Sequence, residues 1–136
     1  MDAKTIEQVQ TTWRFVEKIG PQAAELFYNN LFTAAPELRS LFKSDMKEQG
    51  KKLIQMIGVA VSKLNDLDSL IPVLKSLAQR HASYGVQEAH YTTVGTALLK
   101  TLEQGLGPAF TPEVQQAWTA VYQTMAGVMV DAAKPA

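Results

Sequence analysis

The sequence predicts an all-α chain of six or seven helices that cross one another steeply, and three observations lead there. Apolar residues recur at helical spacing through nearly every segment, no run alternates as a strand would, and proline and glycine break the pattern at abrupt corners. Corners of this kind favour helices packed at large angles over the near-parallel helices of an up-and-down bundle. At 136 residues the expected organisation is one domain, 1–136, large enough to bury a core without metal or disulfide staples.

The elements follow in order. In "TIEQVQTTWRFVEKI" the residues Ile6, Val9, Trp13 and Val16 share one helical face, and Gly20 can stop that helix while Pro21 enters the first turn of the next. The second helix carries Ala24, Phe27, Tyr28, Leu31 and Phe32 at the same spacing, and Pro36 opens the short segment "PELRSLF". A third is expected from about Met46 to Leu64, with Gln49, Leu53, Met56, Ile57, Ala60 and Leu64 on its stripe. The polar turn "NDLDS" offers Asp68 or Ser69 as the cap of a fourth helix, from about Pro72 to Tyr84, which Gly85 closes in a left-handed conformation. The last two helices are expected at about Gln87 to Gln104 and Pro112 to Ala133, separated by "GLGPAFTP", with Thr111 as cap and Pro112 in the first turn.

Composition removes several classes of function. There is no cysteine, which excludes disulfides, thiolate metal sites and cysteine nucleophiles and fits a reducing compartment; the cytoplasm is the expected location. Thirteen basic residues balance thirteen acidic ones. The densest cationic cluster, Lys47, Lys51 and Lys52, is too small a footprint for nucleic acid. The start "MDAKTIEQVQ" lacks the pattern of a signal peptide, and no apolar run reaches membrane-spanning length.

Three polar side chains fall on inward faces. His81 follows Leu77, Leu74 and Val73 by four, seven and eight residues, so its imidazole points where a leucine would be at home. A lone histidine there is more often structural than a ligand. The second histidine, His90, lies beyond the stop at Gly85, and no HxxxH or ExxH spacing surrounds His81, so a metal site built from protein ligands alone is not expected. A cofactor that brings most of its own ligands needs only one imidazole, and haem is such a cofactor, with the other ring N–H held by a carbonyl such as that of Leu77. Tyr28 sits on the second helix's apolar stripe and taken alone is an ordinary core tyrosine; Gln49 taken alone could bond the free N–H groups of its own first turn. Gly50 beside it is costly in a helix interior, which points to the close approach of another backbone.

In combination these residues make the sequence resemble a globin, of the type found in single-domain bacterial haemoglobins such as that of Vitreoscilla and in the globin half of flavohaemoglobins. The likeness covers nearly the entire chain. "FYNNLFTAAPELRSLF" is similar to the family's second helix, proline-started third helix and haem-contacting phenylalanine, and "RHASYGVQEAHYTTVG" to the surroundings of the proximal histidine. The resemblance implies the globin fold, a 3-over-3 sandwich of six to eight helices around a haem pocket, with haem b (iron protoporphyrin IX) as cofactor. It makes His81 the iron ligand, Phe42 the phenylalanine stacked on haem, Tyr28 and Gln49 the distal donors and Leu53 an apolar wall over the bound gas. Ala24 and Gly50 match small residues where two helices cross, Tyr91 a tyrosine that bonds toward the proximal histidine, and Val94 and Tyr122 pocket-lining positions. Lys52 and Arg80 flank the pocket, where a propionate contact and a solvated face are both open. The glutamate that completes the proximal His–Tyr–Glu network falls at Ala133, so that network is truncated, and Asp131 two residues away is expected to face elsewhere. No reductase domain and no GxGxxG are expected within this length.

The function implied is reversible binding of oxygen, or of carbon monoxide and nitric oxide, at a pentacoordinate ferrous haem in a monomer or homodimer. Two alternatives stand beside it: a nitric oxide dioxygenase served by a separate reductase, and a helical interaction or sensor module that keeps the fold without haem.

Overall fold

A computed structural model describes residues 2–42 and 45–133, and among them the chain forms six α-helices, two 3₁₀ segments and no strand. The helices are α1 (Ala3–Lys18), α2 (Gly20–Ala34), α3 (Met46–Ser62), α4 (Leu67–Ser83), α5 (Glu88–Leu106) and α6 (Pro112–Ala133). The 3₁₀ segments are Pro36–Leu41, which is the expected "PELRSLF" piece, and Gly107–Ala109. Among the described residues no helix is long and apolar enough to cross a membrane.

Caps explain where the helices begin. The Asp2 carboxylate accepts the Thr5 N–H at 2.8 Å, the Asp45 carboxylate the Lys47 N–H at 3.0 Å, and the Thr111 hydroxyl the Val114 N–H at 3.2 Å, each meeting a donor that the first turn leaves without a helical partner.

Three boundaries differ from the sequence expectation, and each has a local cause. Gly20 does not stop α1. Ile19 alone makes the corner, donating its N–H to the Val16 carbonyl at 3.0 Å and accepting the Ala23 N–H at 2.8 Å, so Gly20 opens α2 with Pro21 beside it. The cap of α4 is Asp66 rather than Asp68 or Ser69; its carboxylate accepts both the Ser69 N–H (3.3 Å) and the Ser69 hydroxyl (2.7 Å), and α4 starts five residues before Pro72, which is left inside the helix. A proline there costs about 3 kcal/mol. The early start places Leu70 at a fully buried position, and that burial favours keeping the turn. Finally, α5 runs on through Gly105 to the buried Leu106 before Gly107, at φ 55°, ends it.

At the far end of α4 the expectation holds: Gly85 is left-handed, at φ 95°. The Gly85 N–H donates to the Ala82 carbonyl and the Val86 N–H to the His81 carbonyl, both at 3.1 Å, which is the bond pair of a Schellman cap.

The core is built mainly by α2 against α5 and by α6 against α4 and α1. Trp13 and Trp118 meet with ring centroids 6.1 Å apart. The buried indole N–H of Trp118 donates to the Thr12 hydroxyl at 2.9 Å, and that hydroxyl donates to the Gln8 carbonyl at 2.7 Å. Nothing in the residue spacing announces this bond across the fold. Thr12→Val keeps the shape and orphans the indole, so it should lower stability by about 1–3 kcal/mol, seen as a lower urea midpoint at unchanged m-value. A midpoint that does not move would mean that water replaces the hydroxyl.

Where α2 crosses α3, a Cβ at Gly50 would lie 2.9 Å from that of Ala24. The glycine is therefore required by close approach, as its position in the sequence led one to expect. In contrast, α3 and α4 are consecutive but do not pack extensively on one another; α3 leans on α1 and α2, and α4 on α6. The residues singled out in the sequence lie on either side of this division.

Candidate functional site

His81 lies near the C-terminal end of α4, partly buried, with Nδ1 2.8 Å from the Leu77 carbonyl, the partner that the sequence offered. A carbonyl only accepts, so in the neutral imidazole the proton resides on Nδ1. Nε2 then carries the lone pair and has no hydrogen-bond partner among the described residues. Burial holds the imidazole below its ordinary pKa of 6.5, the Leu77 bond opposes this, and the charge of Arg80 adds to the lowering. At neutral pH the ring is uncharged, which is the form that ligates a metal.

This shift fixes a pH dependence. The unfolded chain takes up the histidine proton near pH 6.5 and the folded chain only below that, so folding stability is complete above about 6.5 and is lost as the pH falls through that value toward the folded pKa. Melting temperatures of the haem-free protein should fall between pH 7 and pH 5, and less so in His81→Gln. Equal slopes for the two proteins would show that His81 is not the group responsible.

On the other side of the division, Tyr28 of α2 is buried in a group of aromatic rings. Its centroid is 5.4 Å from Phe42 and 5.1 Å from Phe27, both edge-on, and 5.8 Å from Phe32, which is stacked. Phe42 follows the first 3₁₀ segment and is partly buried. Burial raises the Tyr28 pKa and a hydrogen bond with the Gln49 side chain partly opposes that, so the phenol is a protonated donor at neutral pH. Gln49 thus does not serve its own helix terminus, where Asp45 is the cap. Leu53, one turn further along α3, is partly buried against the core.

The remaining expected residues divide. Val94, Tyr91 and Tyr122 are partly buried on α5 and α6, whereas Lys52 and Arg80 are exposed. The Tyr91 phenol makes no hydrogen bond to His81; burial alone raises its pKa, and His81 feels no contribution from it. It is instead the backbone carbonyl of Tyr91 that is engaged, by the Tyr122 phenol at 2.5 Å. Tyr91 therefore departs from the pattern that the resemblance implied. The physical reason lies at the network's other end: Ala133 is partly buried and has no polar group to anchor a chain of hydrogen bonds, and Asp131 is exposed.

Two residues to which the sequence gave no role find one in the fold. Gly95 makes room for the Tyr122 ring, since a Cβ there would lie 2.6 Å from its Cε2. His90 caps α5, its Nδ1 accepting the Gln87 N–H at 2.9 Å, which accounts for the second histidine. A histidine three residues after a helix-opening position was the available signal.

The donor set suits a flat, mostly apolar group carrying its own metal. One neutral imidazole presents Nε2, no group of three or more potential ligands exists among the described residues, and partly buried apolar side chains (Phe42, Leu53, Leu77, Val94) accompany the polar pair Tyr28 and Gln49. These features would hold haem without a second protein ligand.

Comparison with known proteins agrees. The globin family model matches residues 25–129. The flavohemoprotein of Bacillus subtilis is 33% identical over 135 residues, covering 97% of this chain and 33% of that protein, and the flavohemoprotein of Vibrio cholerae is 32% identical over 129 residues, 93% of this chain and 33% of that one. The chain thus spans about a third of the length of these curated relatives. Among solved structures, a bacterial globin from Campylobacter jejuni superposes with a TM-score of 0.85 at 26% identity, covering 97% of this chain and 96% of its own. An engineered carbene transferase from Rhodothermus marinus, provisionally described as a nitric oxide dioxygenase, superposes at 0.88 with 25% identity, covering 98% and 93%. By sequence and by fold the chain belongs to the globin family, and the cofactor which that membership implies is haem.

Proposed function

We propose that this chain holds haem b (iron protoporphyrin IX) through Nε2 of His81 and binds oxygen reversibly, as a single domain in the cytoplasm. The observation that carries the proposal is the His81 imidazole, with Nδ1 committed to the Leu77 carbonyl and Nε2 free among the described residues. Bound haem would supply an iron able to take a diatomic gas. The chain's own contributions follow from their chemistry. Leu77 fixes the tautomer and the angle of the His81 ring. Tyr28 keeps a protonated phenol that would be available as a donor to a polarised gas, and the Gln49 side chain is hydrogen-bonded to that phenol and would orient it. Phe42 and Leu53 exclude water that would otherwise compete for the donor.

A second reading is a nitric oxide dioxygenase with an external reductase, supported by the likeness to flavohemoproteins and to the Rhodothermus marinus protein. Oxygen binding is preferred because, among the described residues, no carboxylate acts on His81: the acceptor of its Nδ1 proton is a neutral carbonyl. An imidazole so held stays close to neutral and gives a weaker electron push than one bonded to an anion.

The test is an absorption spectrum of haem-supplemented protein, ferric, dithionite-reduced and after carbon monoxide. A strong Soret band that shifts with carbon monoxide supports the proposal, and a colourless protein that takes up no hemin leaves the interaction module. Rapid, sustained nitric oxide consumption with an added reductase would move the assignment to the enzyme.

A further inference from the structure

Tyr84 has no duty in the core. It is the residue that follows α4, at φ −85° and ψ −3°, a conformation open to any residue, and its N–H is bonded to the Arg80 and His81 carbonyls. Its side chain is 62% exposed, more than Phe15 (55%), Leu67 (41%) or Val59 (39%), the other large apolar side chains that face water among the described residues. A ring so placed gives up most of what its burial would contribute to stability. Its aromatic neighbour is His81: the two ring centroids lie 6.5 Å apart, tilted by 49°, within the spacing of paired rings. The Schellman cap at Gly85 fixes the backbone just beyond Tyr84, so this pairing does not hang on a loose end.

A phenol beside a metal ligand and open to water can do what a buried one cannot. With no cysteine in the chain, tyrosine and tryptophan are the side chains most open to loss of a single electron, and an oxidised phenol must also shed its proton. Burial decides which of them can. Trp13, Trp118 and Tyr28 are buried, and Tyr91 and Tyr122 partly so. The Tyr28 phenol meets the Gln49 side chain and the Tyr122 phenol the Tyr91 carbonyl, neutral groups that share a hydrogen bond but cannot take the proton. Tyr84 is the exposed one of the four tyrosines. Water can accept its proton, and a soluble molecule can reach its hydroxyl.

We propose that Tyr84 relays electrons from small soluble hydrogen-atom donors, phenols and enediols, to the haem site at His81 after hydrogen peroxide has oxidised it, and so gives the protein a peroxidase-type activity. The inference rests on the haem assignment above. In each turn of the relay one electron leaves the Tyr84 ring toward His81, the phenol O–H bond breaks, and the proton passes to water. The phenoxyl radical then takes a hydrogen atom from the donor, which restores the O–H bond and leaves the donor as a radical. Two turns return the two electrons, and water the two protons, with which one peroxide, its O–O bond cleaved, becomes two waters; two donor molecules have each lost one hydrogen. The neutral carbonyl on Nδ1 of His81 bears on how fast peroxide is cleaved, whereas Tyr84 decides where the oxidising equivalents go.

The test treats the haem-loaded protein with hydrogen peroxide, using ascorbate as the donor. Without ascorbate, a tyrosyl signal should appear by electron paramagnetic resonance, together with a dityrosine-linked dimer whose cross-link maps to Tyr84 by mass spectrometry. Tyr84→Phe keeps the ring and removes the hydroxyl, and at an exposed position it should leave the melting temperature unchanged. It should lose the cross-link and oxidise ascorbate severalfold more slowly, with unaltered ferric, reduced and carbon monoxide spectra. Tyr84→Trp puts another oxidisable ring in the same place and should recover much of the rate.

The same cross-link yield in Tyr84→Phe, or in the haem-free protein, would overturn the proposal, as would a cross-link that maps to another tyrosine or an unchanged rate of ascorbate oxidation. A chain that takes up no hemin defeats the haem assignment and this inference together. A chain that binds hemin through His81 and forms no radical at Tyr84 defeats this inference alone.

Discussion

His81→Ala should abolish the spectrum of a histidine-ligated haem and weaken retention of the cofactor at least about a hundredfold, since disturbing a ligand's outer partners alone costs 10–100-fold. The site has no substitute. His90, the second of two histidines in the chain, is used as the cap of α5, and there is no cysteine. Truncation also leaves a space shaped for an imidazole beside the Leu77 carbonyl, so free imidazole at millimolar concentration should restore the Soret and visible bands. Leu77 itself cannot be tested through its side chain, because the contact is made by its backbone. The measurement is a hemin titration of both proteins followed by the reduced and carbon monoxide spectra. An unaltered spectrum in His81→Ala would remove the ligand assignment and everything built on it.

The second large effect should come from Tyr28→Phe, with oxygen release from the ferrous haem protein accelerated about ten- to a hundredfold. A hydrogen bond to a charged partner is worth about 1.5–3 kcal/mol, and each 1.4 kcal/mol is a factor of ten. The substitution is a clean one for the fold. Phenylalanine keeps the ring contacts to Phe27, Phe32 and Phe42, so stability should change by less than the rate does. Carbon monoxide, which takes up less charge than oxygen, should be affected less, so the ratio of the two release rates is the sharper readout. Stopped-flow displacement gives both rates. If they are unchanged, the phenol serves the core alone, and Gln49 becomes the distal residue to test.

These expectations concern different parts of the molecule, and the sequence was not equally informative about them. The inward placement of His81, Tyr28 and Gln49 was legible because each sits on an apolar stripe with helical spacing, and a periodicity of 3.6 residues is a local property. The Leu77 carbonyl was legible for the same reason, being one turn from His81. The tight crossing at Gly50 and the left-handed Gly85 could be read from residue type, since a residue without a Cβ is the one that suits a close helix contact or a positive φ.

Helix starts were less legible. "NDLDS" holds several capping residues, and only burial of Leu70 decides that Asp66 is the one used and that Pro72 is enclosed. Contacts distant in sequence were not legible at all. Nothing local couples Trp118 to Thr12, Gln49 to Tyr28, or Tyr122 to the carbonyl of Tyr91, because each bond joins helices whose relative placement is set by the packing of all six.

The sequence by itself determined the all-α class, most helix faces, and which polar groups point inward. Only the tertiary structure decided which of those groups meet. It gave Gln49 to Tyr28, left Nε2 of His81 without a protein partner among the described residues, and turned the Tyr122 phenol onto the backbone carbonyl of Tyr91. The physical reason is range: periodicity and capping act within a turn or two of the chain, whereas a hydrogen bond between helices requires two surfaces to be brought to within about 3 Å, and that distance is fixed by close packing of the whole core.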